Sequence, residues 1–217
     1  MSTREQVMHI EAASFWEQAM PADEYLAQMS TNHDAFQANM DRTEVTAADR
    51  VRFGAQPLKL LVLTEEWCND SVQFLAATLR LAHEVPAVQV RVLRRDEQRE
   101  FAAQYPRQDG YNAIPIFILM DADLRELGSL VERPGRVTAE MAEETRRFAQ
   151  DHPELPGIRR NVDHMPEETK ALVKGNNARW RVDMLERWVP YLFDDLATIA
   201  ERARAEQAQE QAAQARS

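Results

Sequence analysis

From Pro57 onward the apolar positions recur in two alternating rhythms. Residues 58–63 form a short apolar run of the kind buried in a central strand, whereas residues 70–84 repeat Val72, Leu75, Ala76, Leu79 and Ala82 at helical spacing. Pro86 ends that helix. Val88, Val90 and Val92 alternate with polar residues as a strand does, and residues 96–105 return to a helical rhythm with Asp96 as its candidate cap. Pro106 and Asp109-Gly110 then mark a loop. Residues 116–120 and 124–131, separated by Asp121-Ala122-Asp123, predict a hairpin, and Thr138 predicts the cap of a helix over 139–150. The resulting order is β-α-β-α-β-β-α.

Both flanks are helical in pattern. Up to about residue 56, Pro21 suits a first helical turn, residues 30–32 offer caps before residues 35–40, and residues 46–53 close on Gly54. Phe15, Trp16, Tyr25, Leu26, Met29 and Phe36 give these helices apolar faces, which are expected to pack on the next segment. After residue 151 the chain turns polar, with Pro153, Pro156, Gly157 and Pro166, before a long helical pattern over 178–203 that Pro190 should kink or split. Residues 201–217 are Ala, Gln, Glu and Arg with little to bury, so fraying is expected there. The plan is an α/β core at 57–150 between a packed N-terminal extension, 1–56, and a C-terminal extension, 151–217.

Composition narrows the function. With 217 residues, 44% of them hydrophobic, the chain can bury a core of ordinary domain size. Its formal charge of -10 argues against a grip on nucleic-acid backbones, which needs clustered cations. The first twenty residues carry Glu5, Glu11 and Glu17 in place of an apolar signal core, and no apolar run is long enough to span a bilayer. No membrane role is expected, and the cytoplasm is the expected compartment. One cysteine and five scattered histidines (His9, His33, His83, His152 and His164) predict no metal site and no internal disulfide.

That single cysteine lies in Thr64-Glu65-Glu66-Trp67-Cys68-Asn69-Asp70-Ser71, where the first core strand hands over to a helix. The strand, the Trp67-Cys68-x-x-Ser71 turn and Ile114-Pro115 before a later strand resemble the thioredoxin fold: a mixed sheet flanked by helices, here with added N- and C-terminal helices. The stretches TEEWCNDS, LRRDE (93–97) and DGYNAIPIF (109–117) are most similar to bacterial thioredoxin family proteins with a helical N-terminal extension. The resemblance implies that Pro115 is a cis proline facing the sulfur and that Trp67 walls the substrate groove. Three departures stand out: Ser71 replaces the resolving cysteine, Asn69-Asp70 replaces Gly-Pro, and Val62 replaces a buried strand carboxylate.

Without a second cysteine, any exchange must pass through a mixed disulfide with another molecule. The resemblance to C-x-x-S glutaredoxins implies monothiol chemistry, with a protein or low-molecular-weight thiol as co-substrate and no bound cofactor. The nucleophile is the thiolate, and a free cysteine with pKa near 8.5 is only slightly ionised at neutral pH. A helix N-terminus and a hydrogen bond from the Ser71 hydroxyl would favour ionisation, whereas Glu65, Glu66 and Asp70 would oppose it. Arg91, Arg94, Arg95 and Arg99 either supply a cation for a glutathione-like carboxylate or form a solvated face. Arg179, Trp180, Arg181, Arg187 and Trp188 read as helix packing rather than an RNA patch. Two alternatives to exchange remain: a binding module that has lost catalysis with its resolving cysteine, and a sensor in which oxidised Cys68 joins two chains. Oligomeric state is not encoded in any motif.

Overall fold

A computed structural model describes residues 12–214; the parts of the leader reading that rest on Glu5, His9 and Glu11, and residues 215–217 of the tail, lie outside the described residues. Strand β2 (Leu58–Thr64) is the centre of the sheet because every residue after Lys59 is sealed from solvent. Strands β3 (Val88–Arg94), β4 (Ile116–Met120) and β5 (Glu126–Val131), with the two-residue β1 (Met20–Pro21), complete the sheet in the order β1-β3-β2-β4-β5. β2 and β3 are parallel, with Leu60 opposite Val90, and β4 runs antiparallel to both β2 and β5.

Strand alternation divides the buried residues between two cores. Leu58, Leu60 and Val62 of β2, with Phe117 and Leu119 of β4, face one side; Leu61 and Leu63, with Ile116, Ile118 and Met120, face the other. The first side receives helices α1 (Ala22–Gln28), α2 (His33–Arg42), α3 (Ala47–Gly54) and α4 (Ala76–Glu84) through Tyr25, Phe36, Phe53 and Leu79. It also takes Trp188, Leu192, Phe193 and Leu196 of the long C-terminal helix. The second side takes Ala12 and Trp16 of a helical stretch at 12–18, together with Phe101 and Ala102 of the short α5 (Arg99–Ala102). The N-terminal extension packs on the core, as its apolar faces predict.

Several boundaries differ from the sequence pattern. Pro21 precedes α1 and pairs with Arg91 on β3, so it sits on a sheet edge where its missing N–H is tolerated. The helix over 96–105 contracts to a 3-10 turn at Arg95–Glu97 and the four residues of α5, and Asp96 caps neither: it lies inside the turn with its carboxylate on Arg95 and Arg99, while its backbone N–H donates to Glu65. The helix assigned to 139–150 begins four residues earlier as α6 (Gly135–Asp151), directly after Pro134, so Thr138 lies in its first turn. Thr46 does cap α3, in a reciprocal box with Asp49.

The C-terminal pattern is two helices, α7 (Glu167–Asp183) and α8 (Leu185–Gln214), divided at Met184 and not at Pro190. Pro190 lies in the second turn of α8, where it removes one hydrogen bond near a helix start and costs little continuity. The tail remains helical to Gln214 although most of it is exposed, which its Ala-, Gln- and Glu-rich composition favours over the expected fraying. α8 crosses β5 at Gly128, whose φ is +145; a Cβ there would meet Ile199 Cγ2 at 2.8 Å, so only glycine permits this approach. No helix among the described residues is long and apolar enough to cross a membrane.

Because α8 supplies the same core as the sheet, Trp188→Ala should unfold extension and core together. Trp188 is fully buried and its Nε1 donates to Glu140 at 2.8 Å. The expected loss is about 3–5 kcal/mol, read as one cooperative urea transition shifted to lower midpoint. Two separate transitions would show that the extension folds on its own.

Candidate active site

Cys68 stands where β2 gives way to the next helix. Its N–H donates to Glu65 O at 3.2 Å, and its carbonyl accepts the Val72 N–H at 3.0 Å, so the residue opens the first helical turn. That turn widens at once into a π-helical segment, Ser71–Leu75, before α4. Single π turns recur at functional sites. The Cys68 side chain is half-buried against the second core, and Sγ donates to the Ile114 carbonyl at 3.4 Å. The Ile114–Pro115 peptide is cis. Two residues 47 positions apart by the difference of their numbers are thus brought face to face, the sulfur on one side and the proline loop on the other.

Trp67 lies beside the thiol, 56% exposed, with the Arg95 guanidinium 5.8 Å from its ring centroid. Ser71 departs from expectation. It is 1% exposed, and its hydroxyl makes no hydrogen bond among the described residues, so it does not hold the sulfur. Of the four arginines read as a possible anion site, Arg91 covers Trp16 and donates to its carbonyl, Arg94 faces Tyr25, and Arg99 pairs with Asp96. Only Arg95 reaches the site, through Trp67.

The three acids expected to oppose the thiolate are each engaged elsewhere. Glu65 is buried and accepts the Asp96 N–H at 2.7 Å; burial pushes its carboxyl above the ordinary range, and that hydrogen bond only partly offsets it. Glu66 turns to the N-terminal extension. It accepts the Ser30 N–H at 2.6 Å, the Ser30 hydroxyl at 2.8 Å and the Thr31 N–H at 3.0 Å, while Asn32 Nδ2 donates to its carbonyl. Loss of water would raise the Glu66 carboxyl, but these bonds outweigh it and the net shift is downward. Residues 30–32 therefore clasp the loop that carries Cys68; Asn32 occupies the cap position of α2, but its side chain is spent on that clasp.

Asp70 is the third acid and, like Glu65, is buried, at 7% exposure. Arg133 Nη1 donates to one of its oxygens at 2.7 Å and Arg181 Nη2 to the other at 2.5 Å. Arg181 also donates through Nε to Gln73 Oε1, and Gln73 Nε2 donates back to the Arg181 carbonyl at 2.8 Å. On the other side, Arg133 pairs with Glu132, whose backbone N–H donates to the Pro115 carbonyl at 2.7 Å. Glu132 holds a left-handed φ of +69, which costs a non-glycine residue about 1–3 kcal/mol. A continuous chain of contacts thus runs from Pro115 through Glu132, Arg133 and Asp70 to α7. Sequence reading passed over Arg133 and took Arg181 for helix packing, because nothing local links to Asp70 residues that lie 63 and 111 positions away. Trp180 and Trp188, read as one helical face, sit on successive helices and meet edge to face at 5.2 Å. Among the described residues, no cluster of three or more His, Cys, Asp and Glu is placed to hold a metal ion.

Two outcomes follow from these carboxylates. Asp70→Asn strands two guanidinium groups around a neutral amide and should lower unfolding free energy by about 3–5 kcal/mol, measured by urea denaturation. Glu65 has the opposite sign. Its raised carboxyl makes a stabilising contribution below the unfolded value near 4.3 that is lost as pH rises through the folded value. Glu65→Gln keeps an acceptor for Asp96 without the buried charge, so its melting temperature should exceed that of the parent chain at pH 7 and match it at pH 4. An equal difference at both pH values would remove the charge from the explanation.

Comparison with known proteins agrees with the fold. A Pseudomonas aeruginosa protein of unknown function, solved at 1.5 Å, superposes with a TM-score of 0.57 at 19% identity over 88% of this chain and 97% of that one. An HIV epitope scaffold superposes at 0.55 with 18% identity, over 87% and 96% of the two chains. At such identities the likeness is one of fold. No curated protein matches the chain. The family model described as Thioredoxin matches residues 19–146, more than half of the sequence, and takes in most of the N-terminal helices as well as the sheet. The chain belongs to the thioredoxin family.

Proposed function

We propose that the protein carries out monothiol thiol–disulfide exchange through Cys68. The observation that supports this most directly is the half-buried sulfur 3.4 Å from the Ile114 carbonyl, beside the cis Ile114–Pro115 peptide. In the first step the Cys68 thiolate attacks one sulfur of a target disulfide, forming a mixed disulfide and releasing the other sulfur as a thiolate. In the second, an external thiolate attacks the target's sulfur in the mixed disulfide. The target leaves joined to that thiol, and Cys68 departs as the thiolate. No internal group replaces the external thiol, because Ser71 stands at the resolving position and is sealed from solvent. The reading places the protein in the cytoplasm, where small thiols are abundant, and takes protein or small-molecule disulfides as partners. Trp67 and Pro115 are assigned to the groove that receives them.

The engagement of Glu66 by the 30–32 segment and of Asp70 by two arginines supports the same reading, since neither carboxylate is left facing the sulfur uncompensated. Iodoacetamide at pH 7 should modify Cys68 at least several-fold faster than an unfolded cysteine peptide, and Cys68→Ser should abolish exchange with a model disulfide. Alkylation no faster than the peptide, with partner capture that survives Cys68→Ser, would instead identify a binding module on a thioredoxin scaffold.

A further inference from the structure

One residue past Cys68 in the chain, helices of the two extensions line a cleft that the exchange chemistry does not use. Asn69, Val72 and Gln73 form one face of the helix that Cys68 opens; α2 contributes Ala35, Ala38 and Asn39, and α7 contributes Ala178, Arg181 and Val182. Its volume is about 220 Å³. An apolar cavity of roughly 150 Å³ already accepts a benzene-sized ligand, so the space fits one leucine- or phenylalanine-sized side chain.

The lining chemistry narrows the occupant. Arg181 is spent on Asp70 and Gln73, Asn39 Nδ2 on the Val72 carbonyl, and Asn32, at the mouth, on the Glu66 carbonyl. Arg42, also at the mouth, pairs with Glu186. What remains open is a floor of Ala35, Ala38, Val72, Ala178 and Val182, the last 54% exposed. At its edge the exposed Asn69 directly follows Cys68 in the chain.

We propose that this cleft is a specificity pocket for the apolar side chain flanking the cysteine of a polypeptide disulfide, with the Asn69 amide taking the substrate backbone. The proposal rests on the exchange reading of Cys68 and adds to it a substrate class: peptide disulfides with a large apolar neighbour, in preference to glutathione disulfide, which has none. The cleft lies between the added helices, so its shape belongs to the extensions and not to the shared sheet.

The test uses two synthetic peptides that differ only in leucine or serine beside a single cysteine, each as its disulfide with thionitrobenzoate. Cys68 attacks the peptide sulfur and releases the coloured thiolate. The leucine peptide should react roughly tenfold faster, equivalent to about 1.4 kcal/mol, and glutathione disulfide should resemble the serine peptide. Ala38→Trp and Ala178→Leu, both on exposed helix faces, fill the cleft and should bring the leucine-to-serine ratio to within twofold of unity, with circular dichroism checking the fold. Equal rates for the two peptides, or a preference that survives both variants, overturns the pocket while leaving exchange intact. Calorimetric titration with the same peptides carrying serine in place of cysteine separates the two ideas. Tighter binding of the leucine peptide that is lost on filling the cleft supports the pocket even if Cys68 exchanges with nothing, and no difference in binding rejects it.

Discussion

A carboxylate withdrawn from water must be paired, and at Asp70 that requirement organises the molecule around its thiol. A buried charge left alone costs several kcal/mol, so the helix that Cys68 opens can begin where it does only if cations arrive from elsewhere in the chain. Arg133 comes from the end of β5 and Arg181 from α7. The first draws with it Glu132 and the proline loop; the second draws in the C-terminal extension, seconded by the reciprocal bonds to Gln73. Satisfying one carboxylate therefore brings the sulfur, the cis proline and an added helix into register.

The N-terminal extension performs a parallel task one turn earlier. Ser30, Thr31 and Asn32 hold Glu66, and Asn39 reaches the Val72 carbonyl, so the loop is gripped on both sides of Cys68. Of the two residues spaced three apart at the start of this helix, Cys68 is half-buried and Ser71 is sealed in the interior. Rigidity at the first position comes from outside the shared sheet. The N-terminal helices are thus part of the candidate site, which fits a family match that begins at residue 19, whereas the C-terminal helices that bring Arg181 lie beyond the end of that match at residue 146.

The sheet was readable because its signals are local. The apolar run at 58–63, the alternation at Val88, Val90 and Val92 and the hairpin around 121–123 are set by periodicity, and each strand formed within a few residues of its pattern. The approach of Cys68 to the cis Ile114–Pro115 bond was legible because short motifs carry both. What escaped was decided over long separations. Asp96 looks like a cap in isolation, yet its N–H goes to Glu65; Asn32 takes its cap position with its side chain turned to Glu66. Pro190 looks like a break, but the division comes at Met184, where α7 must turn so that Trp180 and Trp188 can meet. Arg181 looked like one more cation on a helix, and only the folded chain reveals what it balances.

The β1 strand has a different consequence. An open sheet edge is a row of unused donors and acceptors on which another chain can grow. Here the strand laid along β3 is two residues long, and one of them is a proline with no N–H to offer. Along Arg91 and Val92 an approaching polypeptide meets this short, proline-ended strand in place of an open edge, which shortens the margin on which a foreign strand could grow.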